Sequence, residues 1–355
     1  HIYRFPPQEV ALEPGDELHE IMGDAIGTVE AISNEDCTIW IKKMEKSKDV
    51  HPLSVHEKKV VSIKELTNSI CDIANSVVED GMDLLPYRAS KDLLLKNPPR
   101  LTIPVDGALL RDEDDIHEGS FRIASALKFS VLGIQGPPGS GKTHTGAMMI
   151  LRLAQEGKKI GVTAPSHKVI RNLFEKVLEL SAETKIPVSL VHKPKEASDV
   201  PTSGIMEVFS NKDALEEIHK GRVVGGTAWL WSHNDAREVL DYLFVDEAGQ
   251  MSLAHVLAAS RSAKNIILLG DPQQLEQPQK ASHPEGADVA ALSHLLDGKT
   301  TMPPAKGIFI PMTRRLHPSI TSFTSEVFYD NRLSSLPGLE VQKITNPGPL
   351  SGAGL

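Results

Sequence analysis

This 355-residue sequence predicts an α/β fold built around one parallel sheet. Three observations carry that prediction. Short apolar runs recur at 131–135, 159–163, 188–191, 222–226, 242–246 and 265–270, each with the length of a buried strand. Helical spacing fills most of the intervals between them, the alternation that parallel strands require. The first run, Val131 to Gln135, also opens straight into Gly136-Pro-Pro-Gly-Ser-Gly-Lys-Thr143, a glycine-rich turn at the head of a helix.

Composition sets the outer limits. Hydrophobic residues at 40% and charged residues at 24% fit a soluble globular protein, and the length calls for two or three domains. No apolar run approaches the roughly 20 residues needed to cross a bilayer, so no membrane partner is expected. The opening His-Ile-Tyr-Arg-Phe-Pro-Pro shows neither signal peptide nor initiator Met, as expected of a piece of a longer protein. Two cysteines, Cys37 and Cys71, point to a reducing compartment and hence to the cytoplasm. The formal charge of −9 excludes a uniformly basic coat. It leaves room for a local basic groove at Lys158-Lys159, His167-Lys168 and Arg171, because screening over roughly 8 Å lets patches act separately. The acidic run Arg111 to Glu118 reads as a solvated loop. Fourteen histidines include no pair at zinc spacing with a cysteine, so no metal beyond nucleotide-bound Mg²⁺ is expected.

Taken in order, residues 1–60 form a small β unit. Gly27 to Ile32 and Cys37 to Lys42 flank the turn residues Ser33-Asn34-Glu35-Asp36, a hairpin pattern, and the span suits a little barrel. Ile63, Leu66, Ile70, Ile73 and Val77 then recur at helical spacing over 62–80, with Gly81 as a natural cap and a stripe best buried against the protein itself. After Asn97-Pro98-Pro99 the α/β alternation begins. Ala147, Ile150, Leu151 and Ala154 mark a helix over 143–155. A second α/β unit is expected to start near Lys306 with Gly307-Ile-Phe-Ile-Pro311, followed by the helical spacing of Ile320, Phe323 and Val327. The expected divisions are thus 1–60, 61–100, 101–302 and 303–355, the last incomplete.

Polyphosphate binding needs backbone N–H groups turned inward on crowded oxygens. Gly136, Gly139 and Gly141 allow that fold, with Pro137, Pro138 and Ser140 between them. Lys142 supplies charge for the β- and γ-phosphates and Thr143 a hydroxyl for Mg²⁺. Downstream, Tyr242-Leu-Phe-Val-Asp-Glu-Ala-Gly-Gln250 ends an apolar strand in two adjacent carboxylates. Asp246 suits the Mg²⁺ shell, and Glu247 suits orienting and deprotonating an attacking water. A further strand ends in Asp271-Pro272-Gln273-Gln274, where the neutral amide of Gln274 can sense a γ-phosphate. In Thr313-Arg314-Arg315-Leu316-His317-Pro318, Arg315 can deliver charge to the transferring phosphoryl group. Trp229 and Trp231 read as buried aromatics beside a strand rather than as base platforms.

Together, Ile134 to Thr143, Asp246-Glu-Ala-Gly-Gln250, Gly270-Asp-Pro-Gln-Gln-Leu275 and Arg315-Leu-His-Pro318 followed by Phe328-Tyr329 resemble superfamily 1 helicases. The branch is that of the nonsense-mediated decay and Dna2-type enzymes. Phe5-Pro-Pro-Gln8 and Arg88 to Leu101 extend the likeness to bacterial proteins that pair this helicase with a RecB-like nuclease, so a nuclease domain in the full-length chain is implied. The resemblance further implies a RecA-like ATPase domain, a β-barrel on a helical stalk (61–100) and the start of a second RecA-like domain. It implies ATP with Mg²⁺, a nucleotide contact from His144, and Arg314 at the base-stacking position. Pro165, Ser166, His167, Lys168 and Thr227 take the single-strand contacts, with DNA ahead of RNA. Backbone and hydroxyl contacts of that kind hold a strand without reading its sequence.

Two departures stand out. The family's adenine-reading glutamine, some 17 residues before the P-loop, has no counterpart in Gly119-Ser-Phe-Arg122, and Arg314 replaces a common aromatic. The implied activity is that of an ATP-dependent helicase or translocase, and the rival is a nucleotide-gated clamp that binds a strand without unwinding it.

Overall fold

The computed structural model describes residues 1–21, 23–57, 61–197, 202–274, 286 and 289–342. The chain divides into two units, His1–Ile63 and Lys64 onwards.

In the first unit, β1 (Ile2–Arg4), β2 (Glu17–Glu20), β3 (Ala25–Ser33), β4 (Thr38–Lys43) and β5 (Val55–Glu57) make an antiparallel sheet in the order β1-β4-β3-β2-β5. The expected hairpin is β3–β4. Ser33 Oγ donates to Asp36 at 3.0 Å and accepts the Asp36 N–H at 3.2 Å, which closes the turn. One face buries Leu18, Val29, Ile39 and Ile41. Among the described residues β1 and β5 each pair on one side only, so the sheet is open where a closed barrel was expected. Edge strands of three residues offer too few ladder bonds to bend round and meet.

The second unit alternates as the sequence implies. Its elements are α1 (Lys64–Asp80), α2 (Arg88–Leu95), α3 (Ile116–Ser125), β6 (Val131–Gln135), α4 (Lys142–Gln155), β7 (Ile160–Thr163), α5 (His167–Thr184), β8 (Leu190–His192), β9 (Ile205–Glu207), α6 (Asn211–His219), β10 (Val223–Gly225), α7 (Ala228–Trp231), β11 (Leu240–Val245), α8 (Leu253–Ser260), β12 (Ala263–Gly270), α9 (Ala291–Leu296) and β13 (Gly307–Phe309). The eight strands lie parallel in the order β13-β6-β12-β11-β7-β10-β8-β9. Successive strand residues feed opposite cores. Leu243, Val245, Ile266 and Leu268 face one side, with Leu66, Leu93 and Val256 of the helices there. Phe244, Ile267 and Leu269 face the other, with Ile123, Ile150 and Phe174. A sheet covered on both faces explains why its strands read as continuous apolar runs rather than alternating ones. Each large apolar side chain buried this way contributes about 1.5–3 kcal/mol.

The region expected to open a second α/β unit behaves differently. β13 pairs with β6, Ile308 opposite Ile134, and so supplies the edge strand of the first sheet. The fully buried Gln135 prepares that join. Its amide accepts the Met302 N–H at 2.7 Å and donates to the Thr300 carbonyl at 3.1 Å. The next local unit begins only at β14 (Met312–Thr313), which α10 (Pro318–Phe328) connects to its parallel partner β15 (Ser334–Ser335). The glycine- and proline-rich end, 343–355, lies outside the described residues.

α1 packs on α8 through the Ser69 hydroxyl, which donates to the Ala258 carbonyl at 2.6 Å. Gly81, at φ 81°, ends α1 by donating to Val77. In α2, Asp92 is fully buried. It accepts from Arg88 (3.2 Å), Arg100 (2.7 Å), Asn97 (3.0 Å) and the Ser130 hydroxyl (3.2 Å), which ties α2 to the start of β6. Removing that carboxylate leaves two arginines without their shared counter-charge. Asp92→Ala is therefore expected to destabilise the protein by about 3–5 kcal/mol, read as a lower urea midpoint with an unchanged slope; a loss below about 1 kcal/mol would show the cluster to be surface-like.

Candidate active site

In a doubly covered parallel sheet, ligand chemistry collects where the strands end and the loops begin. Here β6, β12, β11 and β7 end side by side. The P-loop leaves β6, and its Gly136 N–H donates to the Gly270 carbonyl at the end of β12 (2.9 Å). Gly141, in the left-handed region at φ 89°, turns the chain into α4, so that Lys142 and Thr143 open the helix. The first-turn N–H groups of a helix have no intrahelical acceptor and favour anions. Ser140 Oγ is buried and also lacks a hydrogen-bond partner.

Lys142 is buried, and its Nζ lies 2.8 Å from Glu247 Oε2. Asp246 is 3% exposed, and its Oδ1 accepts the Glu247 N–H at 3.0 Å. Burial pushes the Asp246 pKa up to about 6, with the Glu247 charge adding to the rise and Lys142 opposing it. The Asp246 N–H donates to the Thr163 carbonyl at 2.9 Å, so the carboxylate turn is tied to the end of β7. Lys142, the Ser140 hydroxyl and the helix N–H groups could hold a polyphosphate. The Thr143 hydroxyl and the Asp246 carboxylate are oxygen ligands of the kind a hard divalent cation takes.

Gln274 is turned to Asp271. Its amide donates to Asp271 Oδ2 at 3.4 Å and not to the Lys142–Glu247 pair. Asp271, 1% exposed, also accepts the Tyr329 hydroxyl at 2.8 Å, which together with burial raises the tyrosine pKa. Sequence reasoning assigned Asp271 no role; an acid locked between a strand end and a distant tyrosine leaves no local signature.

The arginine segment rests on the tip of the P-loop. The Thr313 hydroxyl donates to the Pro138 carbonyl (2.8 Å) and the Arg314 N–H to the Gly139 carbonyl (2.8 Å). Gly139 is required there. It sits at φ 74°, and a Cβ would meet Arg315 Cβ at 2.3 Å. Arg315 therefore stands beside the loop that would hold the phosphates, and Arg314 acts electrostatically on both His144 and His117, whose pKa values fall mainly through burial.

The residues expected to hold a strand emerge from neighbouring strands. Gly226, just past β10, donates to the Val162 carbonyl of β7 at 3.0 Å, which brings 163–168 beside Thr227. Ser166 caps α5 by accepting the Val169 N–H at 3.3 Å, next to Pro165, and Lys168 is exposed. His167 Nδ1 meets His192 Nε2 at 3.1 Å; burial drives the His192 pKa down to about 4, keeping it neutral. Trp231 is fully buried, and its indole N–H donates to the Val162 and Gly226 carbonyls, both at 3.0 Å. It locks the two loops together and has no face free for a base. Among the described residues no group of three His, Cys, Asp or Glu could hold a metal ion, and no helix is long and apolar enough to cross a membrane.

Residues 123–287 match the AAA domain family. The chain is 27% identical over 259 residues to the DNA replication ATP-dependent helicase/nuclease DNA2 of Saccharomyces cerevisiae, covering 70% of this chain and 15% of that protein. It is 24% identical over 253 residues to a putative regulator of nonsense transcripts 1 from Takifugu rubripes, covering 62% of this chain and 23% of that one. An arterivirus nonstructural protein 10 helicase structure shares 13% identity at a TM-score of 0.39, over 94% of this chain and 57% of that chain. The chain thus spans less than a quarter of the length of these two curated relatives.

Because Asp246 is harder to ionise folded than unfolded, it lowers stability once it is charged. The sign follows from the raised value: its contribution is favourable below the ordinary carboxylate range near pH 4 and is lost as pH rises to about 6. Asp246→Asn is expected to stabilise the protein at pH 7 in EDTA by on the order of 2 kcal/mol, the gain shrinking as pH falls from about 6 to 4. Chemical denaturation at several pH values measures it, and a gain independent of pH would remove the buried carboxylate as its cause.

Proposed function

We propose that this chain, which carries the core of a superfamily 1 helicase, hydrolyses ATP with Mg²⁺ and couples the turnover to movement along single-stranded nucleic acid. The Lys142–Glu247 ion pair at 2.8 Å is the observation that carries it. A P-loop lysine and an acid from a non-adjacent strand meet where a γ-phosphate and its attacking water would sit. ATP binding exchanges the carboxylate partner of Lys142 for phosphate oxygens and frees Glu247 to orient and deprotonate water. Thr143 and Asp246 would hold Mg²⁺, which supplies positive charge to the phosphate oxygens. Arg315, already against the loop tip, is positioned to add charge as the transition state develops.

Coupling to a strand follows from the hydrogen bond between the Asp246 N–H and the Thr163 carbonyl. Thr163 leads into Pro165, Ser166, His167 and Lys168, so a shift of the carboxylate turn moves the strand-contact loop with it. Backbone, hydroxyl and lysine contacts suit phosphates and not base edges. DNA is favoured over RNA on the likeness to a DNA replication helicase/nuclease. Two cysteines without a disulfide support a cytoplasmic setting.

ATP turnover measured with and without a single-stranded oligonucleotide tests the reading: stimulation is expected, and tight ATP binding without turnover would favour the clamp. Glu247→Gln should keep or modestly raise ATP affinity, since Lys142 loses its competing partner, while turnover falls about 10²–10⁴-fold. Turnover within about twofold of the parent protein would exclude Glu247 as the base.

Lys168→Ala should reduce the steepness of the log–log salt dependence of single-strand binding by about 0.7, one phosphate contact, to a similar degree for any base sequence. An unchanged slope in a titration from low to moderate salt would place Lys168 off the strand.

A further inference from the structure

Asp271 is shut further from water than Asp246, 1% exposed against 3%. Three neutral donors hold it. The Gln273 N–H reaches Oδ1 at 3.2 Å, and Oδ2 takes both the Tyr329 hydroxyl at 2.8 Å and the Gln274 amide at 3.4 Å. The two bonds to Oδ2 are unequal. The hydroxyl stands at the ordinary length for an O–H donor, whereas the amide lies beyond the usual range for an N–H donor. Burial, with the Asp271 charge adding to it, raises the Tyr329 pKa, so the hydroxyl keeps its proton and donates it to the carboxylate. Tyr329 is buried, its ring 6.1 Å from that of Phe309 between centroids. Gln274 is half-buried, and of the two donors on Oδ2 it is the one free to leave.

The loop that carries Gln274 lies against the turn that carries Glu247. The Ala248 N–H donates to the Leu269 carbonyl at 2.8 Å. Gly249 comes so close to Asp271 that a Cβ on it would meet the Asp271 carbonyl oxygen at 2.5 Å. The Gln274 N–H donates to that same carbonyl group at 3.2 Å. The main chain of Gln274 is thus tied to the Glu247 turn, and the remaining freedom is in its side chain. For its amide to serve a γ-phosphate, it must leave Asp271 Oδ2. The cost of leaving depends on what stays behind. With Tyr329 in place, Oδ2 keeps its shorter bond. Without that hydroxyl a buried carboxylate oxygen is left bare, which costs more than a neutral hydrogen bond contributes.

We propose that Tyr329 is a positioning residue for hydrolysis: by keeping Asp271 Oδ2 hydrogen-bonded, its hydroxyl releases the Gln274 amide to the γ-phosphate and its attacking water. Tyr329 follows α10 directly, in the segment that also brings Arg315 to the P-loop, so one segment governs both the arginine and the glutamine. The inference rests on the proposed ATPase reading, with Gln274 as its γ-phosphate sensor.

The test measures kcat and KM for ATP, with a single-stranded oligonucleotide present, in the parent protein, Tyr329→Phe, Gln274→Ala and the double variant. Tyr329→Phe keeps the ring and removes only the donor. It should lower kcat roughly tenfold, with KM changed by less than about twofold. The double variant should be no slower than Gln274→Ala alone, because without the amide the hydroxyl has nothing to release. A Tyr329→Phe or Gln274→Ala enzyme with the parent's kcat overturns the proposal. So does a double variant in which the two losses multiply, since the tyrosine would then act through packing alone. A second arm needs no variant, so a failure of Tyr329→Phe to fold leaves the test in force: a crystal structure of the parent protein with Mg²⁺, ADP and beryllium fluoride, which stands in for the γ-phosphate. The Gln274 amide is expected off Asp271, with the Tyr329–Asp271 bond intact. Gln274 still on Asp271, or Tyr329 off it, overturns the proposal while leaving the ATPase reading intact. A parent protein that neither binds this analogue nor hydrolyses ATP beside a single strand overturns the ATPase reading and this inference with it.

Discussion

Lys142 and Glu247 meet across a strand that belongs to neither of them. The lysine follows β6 and the glutamate follows β11, with β12 lying between the two. Their 2.8 Å contact therefore depends on two parallel ladders keeping register, Gly133 beside Leu268 and Leu268 beside Val245. Slipping either ladder by one residue would turn every strand side chain to the opposite core, a cost far above that of one ion pair. The packing of both faces thus sets the Lys142–Glu247 distance, and the site inherits the rigidity of the sheet.

The same strand ends distribute the remaining work. Asp246 is kept out of water and can ionise comfortably only when something positive replaces the solvent it has lost. Its main-chain N–H reaches the Thr163 carbonyl, which ties the carboxylate turn to the strand that leads into the loop of His167 and Lys168. Trp231 then fastens that loop's strand to Gly226.

Three polar contacts bring the segment after β13 back to the site: the Thr313 hydroxyl on the Pro138 carbonyl, the Arg314 N–H on the Gly139 carbonyl and Tyr329 on Asp271. All three acceptors lie on loops that leave the sheet, and all three donors lie in the β14–α10–β15 segment. Hydrogen bonds with net values near 1 kcal/mol each hold the arginine pair against the P-loop. Gly139 is the steric condition of this arrangement, since any side chain there would displace Arg315.

How much of this was legible depended on the range over which the determining forces act. The P-loop, the Asp246-Glu247 turn and six strands of the sheet could be read directly. Turn geometry, helix starts and buried strands leave marks within a few neighbouring residues, and five motifs in order carried the family resemblance. β9 and β13 were missed as members of that sheet because three residues have no measurable period, and which sheet a short apolar run joins is decided by the neighbour it finds. For β13 that neighbour is β6, reached with the help of Gln135. The open edge of the small sheet, the turning of Gln274 to Asp271 and the placing of Tyr329 on Asp271 were equally invisible. Each is a contact between residues remote in sequence, or a failure of two edges to meet. The sequence by itself determined which chemistry the chain carries, because that lies in residue types at short spacing. Only the tertiary structure decided which of those residues face one another, because register, burial and the path of the chain bring them within a few ångströms.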